Sequence, residues 1–293
     1  MYTNQTDVEL EAMRCTSEGI FRAQNSIWLK LNFVFCCSLV FITFFLSFRA
    51  AKILKNRNIY SHGSQILLMN ILLNANLNQA IFLEIKIRQL VHVLIHSNDL
   101  CKIEFHSPEC TFDQSIYAFT NILSTALVSA LTCDRFIAFY AANIYNMFSN
   151  VLAVSLLTFS FAFTVYIHIY TYGGVSRAGY VPSCQYPPQL SLDAFEKVNN
   201  INFWFIMVNC FLTILVLLLN IQRDNKVKKS IYDTRIRYNS FENLLTTKAI
   251  CSITATQFAF LSFATAAVSI ITSIEAGISE EIFHLVAQYL TVS

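Results

Sequence analysis

The chain has 293 residues, of which 55% are hydrophobic and only 13% charged, with a formal net charge of +2 and 26 phenylalanines. That balance is far more apolar than an ordinary soluble domain and puts the lipid bilayer, not nucleic acid, first among the expected partners.

In chain order, Met1 to Arg14 is polar and acidic with no apolar core, so it reads as neither a cleavable leader nor a span. Residues 1–26 are expected to form a segment outside the membrane and residues 27–293 a multipass domain. The uncharged runs that follow are Leu31 to Phe48, Asn58 to Leu83, Gln114 to Cys133, Phe136 to Ser176, Val198 to Gln222 and Ala249 to Ile274. Each can hold the roughly 20 residues that a helix needs to cross the hydrocarbon core. Spans are therefore predicted near 31–48, 64–83, 114–133, 151–172, 198–222 and 249–274. The expected class is an all-α membrane protein, a heptahelical bundle whose seventh helix, near 280–293, is short or incomplete. After Glu280-Glu281 twelve residues remain, about 18 Å of helix against a core of roughly 30 Å.

The basic residues set an expected orientation. With the N-terminus outside, the inner segments hold twelve of the 20 basic residues against four of the 18 acidic ones, the bias expected because Lys and Arg resist translocation. Asn4-Gln5-Thr6 is a glycosylation acceptor on the outer side in this arrangement. Of nine cysteines, Cys15, Cys101, Cys110 and Cys184 fall in outer segments, where oxidation is possible. Cys110 with Cys184 is the favoured pair, with Cys15 and Cys101 as a second; free or otherwise paired thiols stay open.

Cys133-Asp134-Arg135-Phe136 closes the third apolar run. A charge near the bilayer centre costs roughly 3 kcal/mol even on mild scales, so this pair belongs at a membrane boundary or to a function. An acid and a base at a helix end can pair at rest and part when helices separate, a two-state element; the plainer alternative is an arginine anchored among head groups.

Several motifs carry a resemblance to a known family. Met13-Arg14-Cys15-Thr16-Ser17-Glu18, the cysteines Cys101 and Cys110, the Asp134-Arg135-Phe136 step, Arg237-Tyr238-Asn239 and Glu242-Asn243 together resemble nematode serpentine chemoreceptors of class alpha and class alpha-beta, over about residues 13 to 280. The resemblance implies a sensory G-protein-coupled receptor on neuronal plasma membranes, with a small environmental molecule and a heterotrimeric G protein as partners. In that frame Asp134 and Arg135 are the coupling switch. All four prolines, Pro108, Pro182, Pro187 and Pro188, lie in loops, so no span is expected to carry a proline kink.

In the second span Asn70, Asn74 and Asn78 recur every four residues and so share one helix face. Amides facing lipid are unfavourable, so this face is expected to turn inward as interhelical hydrogen-bond glue, or as part of an internal network. Tyr117, Asn121, Trp204 and Gln257 are candidates for a ligand pocket between the third, fifth and sixth helices. Arg223 to Lys248 has alternating charge and is expected to extend the fifth and sixth helices, whereas Ile137 to Asn150, an uncharged stretch, is expected to be a loop. His92 and His96 lack a third ligand at metal spacing, and Gly173-Gly174-Val175-Ser176 does not fit a nucleophile elbow. Neither an enzymatic activity, a cofactor nor a metal is expected.

Three function classes follow. A chemosensory receptor leads. A signalling-incompetent truncated receptor, acting by association with relatives, is the alternative; a transporter or channel, which favours charges or breaks within spans, comes last.

Overall fold

A computed structural model describes residues 15–56, 60–230 and 234–274. Among them, α1 (Glu18–Asn25), α2 (Ile27–Asn56), α3 (His62–Ile95), α4 (Thr111–Tyr140), α5 (Ala142–Tyr172), α6 (Leu192–Ser230) and α7 (Thr234–Ile274) hold most of the described residues. Five of these, α2 to α6, are long and apolar enough to cross a membrane. At 1.5 Å per residue each exceeds the roughly 30 Å core.

The polarity of the bundle is inverted relative to a soluble protein. Phe35, Phe41, Phe45 and Phe48 of α2 are all at least 59% exposed, while Asn32, Thr120, Thr125, Thr132, Thr164 and Thr213 are buried. Apolar side chains outside can meet lipid. Polar ones inside find partners, mostly carbonyls one turn back on their own helix, as for Thr132 with Val128 O at 3.1 Å and Thr213 with Asn209 O at 2.7 Å. The Thr132 and Thr213 hydroxyls also meet at 3.2 Å, joining α4 to α6.

One end of the bundle is built from loops. Phe105–His106 pairs antiparallel with Tyr180–Val181, so the α3–α4 and α5–α6 connections form a two-stranded ribbon. Disulfides Cys110–Cys184 and Cys15–Cys101 lie beside it. Gly179 has φ of 101°, a conformation open to glycine, and its carbonyl accepts from Ser107 N at 2.9 Å just before the second strand. Ile85, Phe105, Cys110, Val181 and Cys184 make a small core there. The helix α1 lies over it: Ser17 caps its N-terminus, Gln24 Nε2 donates to Pro182 O at 3.1 Å and Asn25 Nδ2 to Ser97 O at 3.0 Å. A second core, Leu67, Ala130, Leu131, Ala153 and Ile250, joins α3, α4, α5 and α7 nearer the other end.

Among the described helices, α2, α3, α4, α6 and α7 are each longer than their uncharged runs. α3 continues from Leu83 through Glu84, Lys86 and Arg88, because those charges are absorbed by partners within the loop-covered end. α6 and α7 extend through much of Arg223 to Lys248 as helix. The loop expected over Ile137 to Asn150 is instead helical: α4 runs to Tyr140, a single residue, Ala141, separates it from α5, and α5 bends at Phe148 (φ −123°, ψ 17°). The stretch carries no proline or glycine to stop a helix, and Tyr145 and Asn150 meet Ser61, Ser64 and His62 at the start of α3. Asn4, Arg57 and the short seventh segment lie outside the described residues.

Candidate functional site

Asp134 and Arg135 sit in the last two turns of α4 at the end away from the disulfides, and both are essentially fully buried, at 0% and 1% exposure. Arg135 Nε and Nη2 donate to Asp134 Oδ2 at 3.1 and 2.6 Å. The same carboxylate oxygen accepts from Ser64 Oγ at 3.1 Å and Tyr145 OH at 3.3 Å, while Oδ1 has no partner. Arg135 Nη2 also reaches Ser64 Oγ and Tyr145 OH, and its guanidinium lies 5.3 Å from the Tyr145 ring centre. On the far side Nη1 donates to Asn243 Oδ1 of α7 at 3.0 Å.

The pair is thus a clasp among four helices: α3 through Ser64, α4 through Asp134 and Arg135, α5 through Tyr145, α7 through Asn243. Ser61, just before α3, reinforces it with hydroxyl contacts of 2.7 Å to Ser64 and to Tyr145. Gly63 brings α3 against α5, where an added Cβ would run into the Ser149 carbonyl. Beside the clasp, Arg223 Nη1 donates to Phe139 O at 2.9 Å, a cation on the C-terminal carbonyls of α4.

A cavity of about 440 Å³ opens toward the disulfide end, between α4, α6, α7 and the loop after Tyr180–Val181. Tyr117, Asn121 and Gln257 line it, as do Gln185, Asn199 and Asn202. Trp204 does not: it is 54% exposed and packs against Phe203, so on α6 it belongs to the outer, lipid-compatible surface. Aromaticity alone did not distinguish the two faces of that helix.

The asparagine face of α3 is divided. Asn74 Nδ2 donates to Thr120 O at 2.9 Å, and Asn78 Nδ2 donates to Thr120 Oγ1 at 2.8 Å and Asn121 Oδ1 at 3.1 Å. Those two bind α3 to α4 and touch the cavity wall. Asn70 instead bonds the Ile66 carbonyl of its own helix at 2.9 Å, and Asn76 reaches Ser47 of α2 at 2.7 Å. The His92 and His96 rings lie 4.7 Å apart, and His92 Nε2 meets Lys102 O at 2.9 Å. Among the described residues, no three His, Cys, Asp or Glu side chains are grouped to hold a metal.

Ser61, Ser64, Tyr145 and Asn243 were not singled out as clasp residues by sequence reasoning. The one-turn Ser61 to Ser64 spacing and the Glu242-Asn243 motif were the available signals. Lys86, Arg88 and Asp113 were also missed, because reading from charge to charge ends a span where they begin.

An inverted-polarity helical bundle, bridged by loop disulfides and closed at its other end by a buried acid–base clasp, defines a multipass membrane protein of the serpentine receptor type. The chain belongs to the family described as serpentine type 7TM GPCR chemoreceptor Sra, whose profile matches residues 10–292. It is 67% identical to serpentine receptor class alpha-27 of Caenorhabditis elegans over 290 residues, 99% of this chain and 84% of that protein. It is 33% identical to serpentine receptor class alpha-25 (96% and 83% covered) and 31% identical to class alpha-20 (98% and 85% covered), both of the same nematode. The family is one of receptors, not enzymes.

Proposed function

We propose that this chain is a chemosensory receptor of the plasma membrane, N-terminus outside, that detects small environmental molecules and activates a heterotrimeric G protein. Sensory neurons are the expected setting. The observation that carries the reading is that α4 bears both elements. Tyr117, Asn121 and Thr125 line the cavity, and Asp134 and Arg135 form the clasp, about 15 to 27 Å further along the same rod at 1.5 Å per residue. α7 repeats the arrangement, with Gln257 at the cavity and Asn243 at the clasp.

A ligand that draws α4, α6 and α7 together at one end tilts two stiff helices whose other ends are held by Arg135. Ligand preference for the tilted state then becomes a preference for the open clasp. Opening frees the Arg135 guanidinium for an acceptor on a G protein. Arg223 of α6, whose guanidinium donates to Phe139 O, adds a second cation at this end.

The test expresses the chain with an epitope tag at Met1 and scores Asn4 glycosylation, staining of intact cells and G-protein activation by a resonance-energy-transfer reporter. The reading expects a glycosylated, externally stained protein that signals, and an Arg135→Glu variant that reaches the surface but does not. Equal signalling by that variant would defeat it.

A further inference from the structure

Lys86 is the exception in the bundle. It lies in α3 at 2% exposure, and among the described residues the titratable groups that act on it are the thiols Cys36 and Cys37. Its ammonium sits 5.5 Å from the Phe33 ring centre and 5.3 Å from that of Phe82, and donates one hydrogen bond, to Gln185 Oε1 at 2.8 Å. The nearby acid Asp113 is already paired with Arg88, which also holds Glu84 at 3.3 Å. Burying a cation against two rings and one amide leaves it under-compensated, since cation–π contact and a neutral acceptor recover only part of the lost hydration.

Gln185 follows Cys184 of the loop disulfide and lines the cavity. A lysine ammonium has donors only, so it fixes the orientation of this amide: Oε1 turns to Lys86 and Nε2 is left on the other side. That nitrogen is shielded from solvent, and the group it faces is the Tyr117 hydroxyl. Asn121 is oriented in the same sense, because Asn78 Nδ2 occupies its Oδ1. Both amides therefore offer N–H groups around the Tyr117 hydroxyl, which they adjoin. The wall behind Tyr117 is a donor surface backed by a buried positive charge, and no charged side chain lines the cavity among the described residues.

We propose that Lys86, acting through Gln185, is a specificity residue that makes this cavity select small organic acids, whose carboxylate takes the donors of the Gln185–Tyr117–Asn121 wall. The inference rests on the reading of the cavity as the ligand site. Lys86 positions and polarises the wall without touching the ligand; bound carboxylate supplies the negative charge that the bundle withholds from Lys86.

The test uses the purified full chain in lipid nanodiscs and three probes, the near-isosteric pair benzoate and benzamide and the similarly sized cation benzylammonium, each at 10 mM at neutral pH. The expected result is a rise in Tm with benzoate of several degrees, at least twice that with benzamide, and none with benzylammonium. Lys86→Met should abolish the benzoate advantage while leaving any benzamide effect. In case loss of Lys86 impairs folding, the isosteric Gln185→Glu supplies an internal carboxylate that pairs with Lys86, and it should abolish the benzoate shift in a protein at least as stable as the parent. A Ser124→Trp variant, which fills the cavity, should remove every shift. Benzamide equal to or better than benzoate, with both blocked by Ser124→Trp, would overturn the acid preference and leave the ligand site standing. No shift with any probe, or shifts untouched by Ser124→Trp, would overturn both.

Discussion

Asn243→Ala removes the side chain through which α7 holds Arg135 and leaves the rest of the clasp in place. The bond lost is charge-assisted, 3.0 Å long and largely shielded; hydrogen bonds to charged groups contribute about 1.5–3 kcal/mol. If the closed state holds this bond and the open state does not, its loss raises the open-to-closed ratio by about 10-fold to 160-fold. A receptor that is closed at rest then acquires ligand-independent activity. The Thr247 hydroxyl bonds the Asn243 main-chain carbonyl at 2.7 Å, so the local helix does not depend on the side chain removed. The assay is basal G-protein activation in cells, normalised to surface receptor. Asn243→Asp supplies the opposite control, because a carboxylate holds the guanidinium more tightly and should lower basal activity below the parent. Equal basal activity in all three proteins would refute the assignment of this bond to a resting lock.

Other outcomes follow from the same geometry. Tyr145→Phe removes a hydroxyl within reach of Ser61, Ser64, Asp134 and Arg135; it should raise basal activity and lower detergent-solubilised Tm, at a cost of about 1–3 kcal/mol for the partners left unsatisfied. Gly63→Val drives a side chain into the Ser149 backbone and should cut surface expression severely, whereas Gly63→Ala should do so less. Glu104, outside the spans, has its pKa raised mainly by burial, with the Thr16 hydroxyl (3.2 Å) opposing. Its folded state therefore binds the proton more tightly than the unfolded chain, and stability falls as pH rises from the ordinary glutamate range through the raised value. Glu104→Gln should raise Tm at neutral pH and flatten that dependence, read by a thermal scan across pH 4 to 8. Cys110→Ser should reduce surface delivery, since the Cys110–Cys184 link closes a separation of 74 residues, about 4 kcal/mol in the chain-entropy picture.

The spans were legible because hydrophobic length is a one-dimensional property, and the cysteines were legible because few positions outside the spans compete for pairing. Asp134 and Arg135 stood out as charges at a boundary, but their partners did not: Ser61, Ser64, Tyr145 and Asn243 are ordinary residues individually and become a site only when four helices converge. Ile137 to Asn150 was misread for a related reason. Lack of charge there did not mark a loop, since with no proline or glycine to break it the chain stays helical on both sides of Ala141. Trp204 shows the converse error, since a large aromatic on an apolar helix is as suited to lipid as to a ligand. Lys86 and Gln185, 99 residues apart, meet because the Cys110–Cys184 link and the short ribbon bring the α5–α6 loop over α3, which no local pattern encodes.

If coupling to a G protein opens the Arg135 clasp, the clasp ends of α4 and α7 must separate. Tyr140 and Phe241 are 62% and 53% exposed near the clasp ends of those helices, so spin labels at Tyr140→Cys and Phe241→Cys, in a Cys133→Ser background, report that distance by pulsed electron resonance in nanodiscs. The account predicts one short distance for the receptor alone and a population several ångströms longer when a nucleotide-free heterotrimeric G protein is bound. An unchanged distance distribution with the G protein demonstrably bound would contradict it.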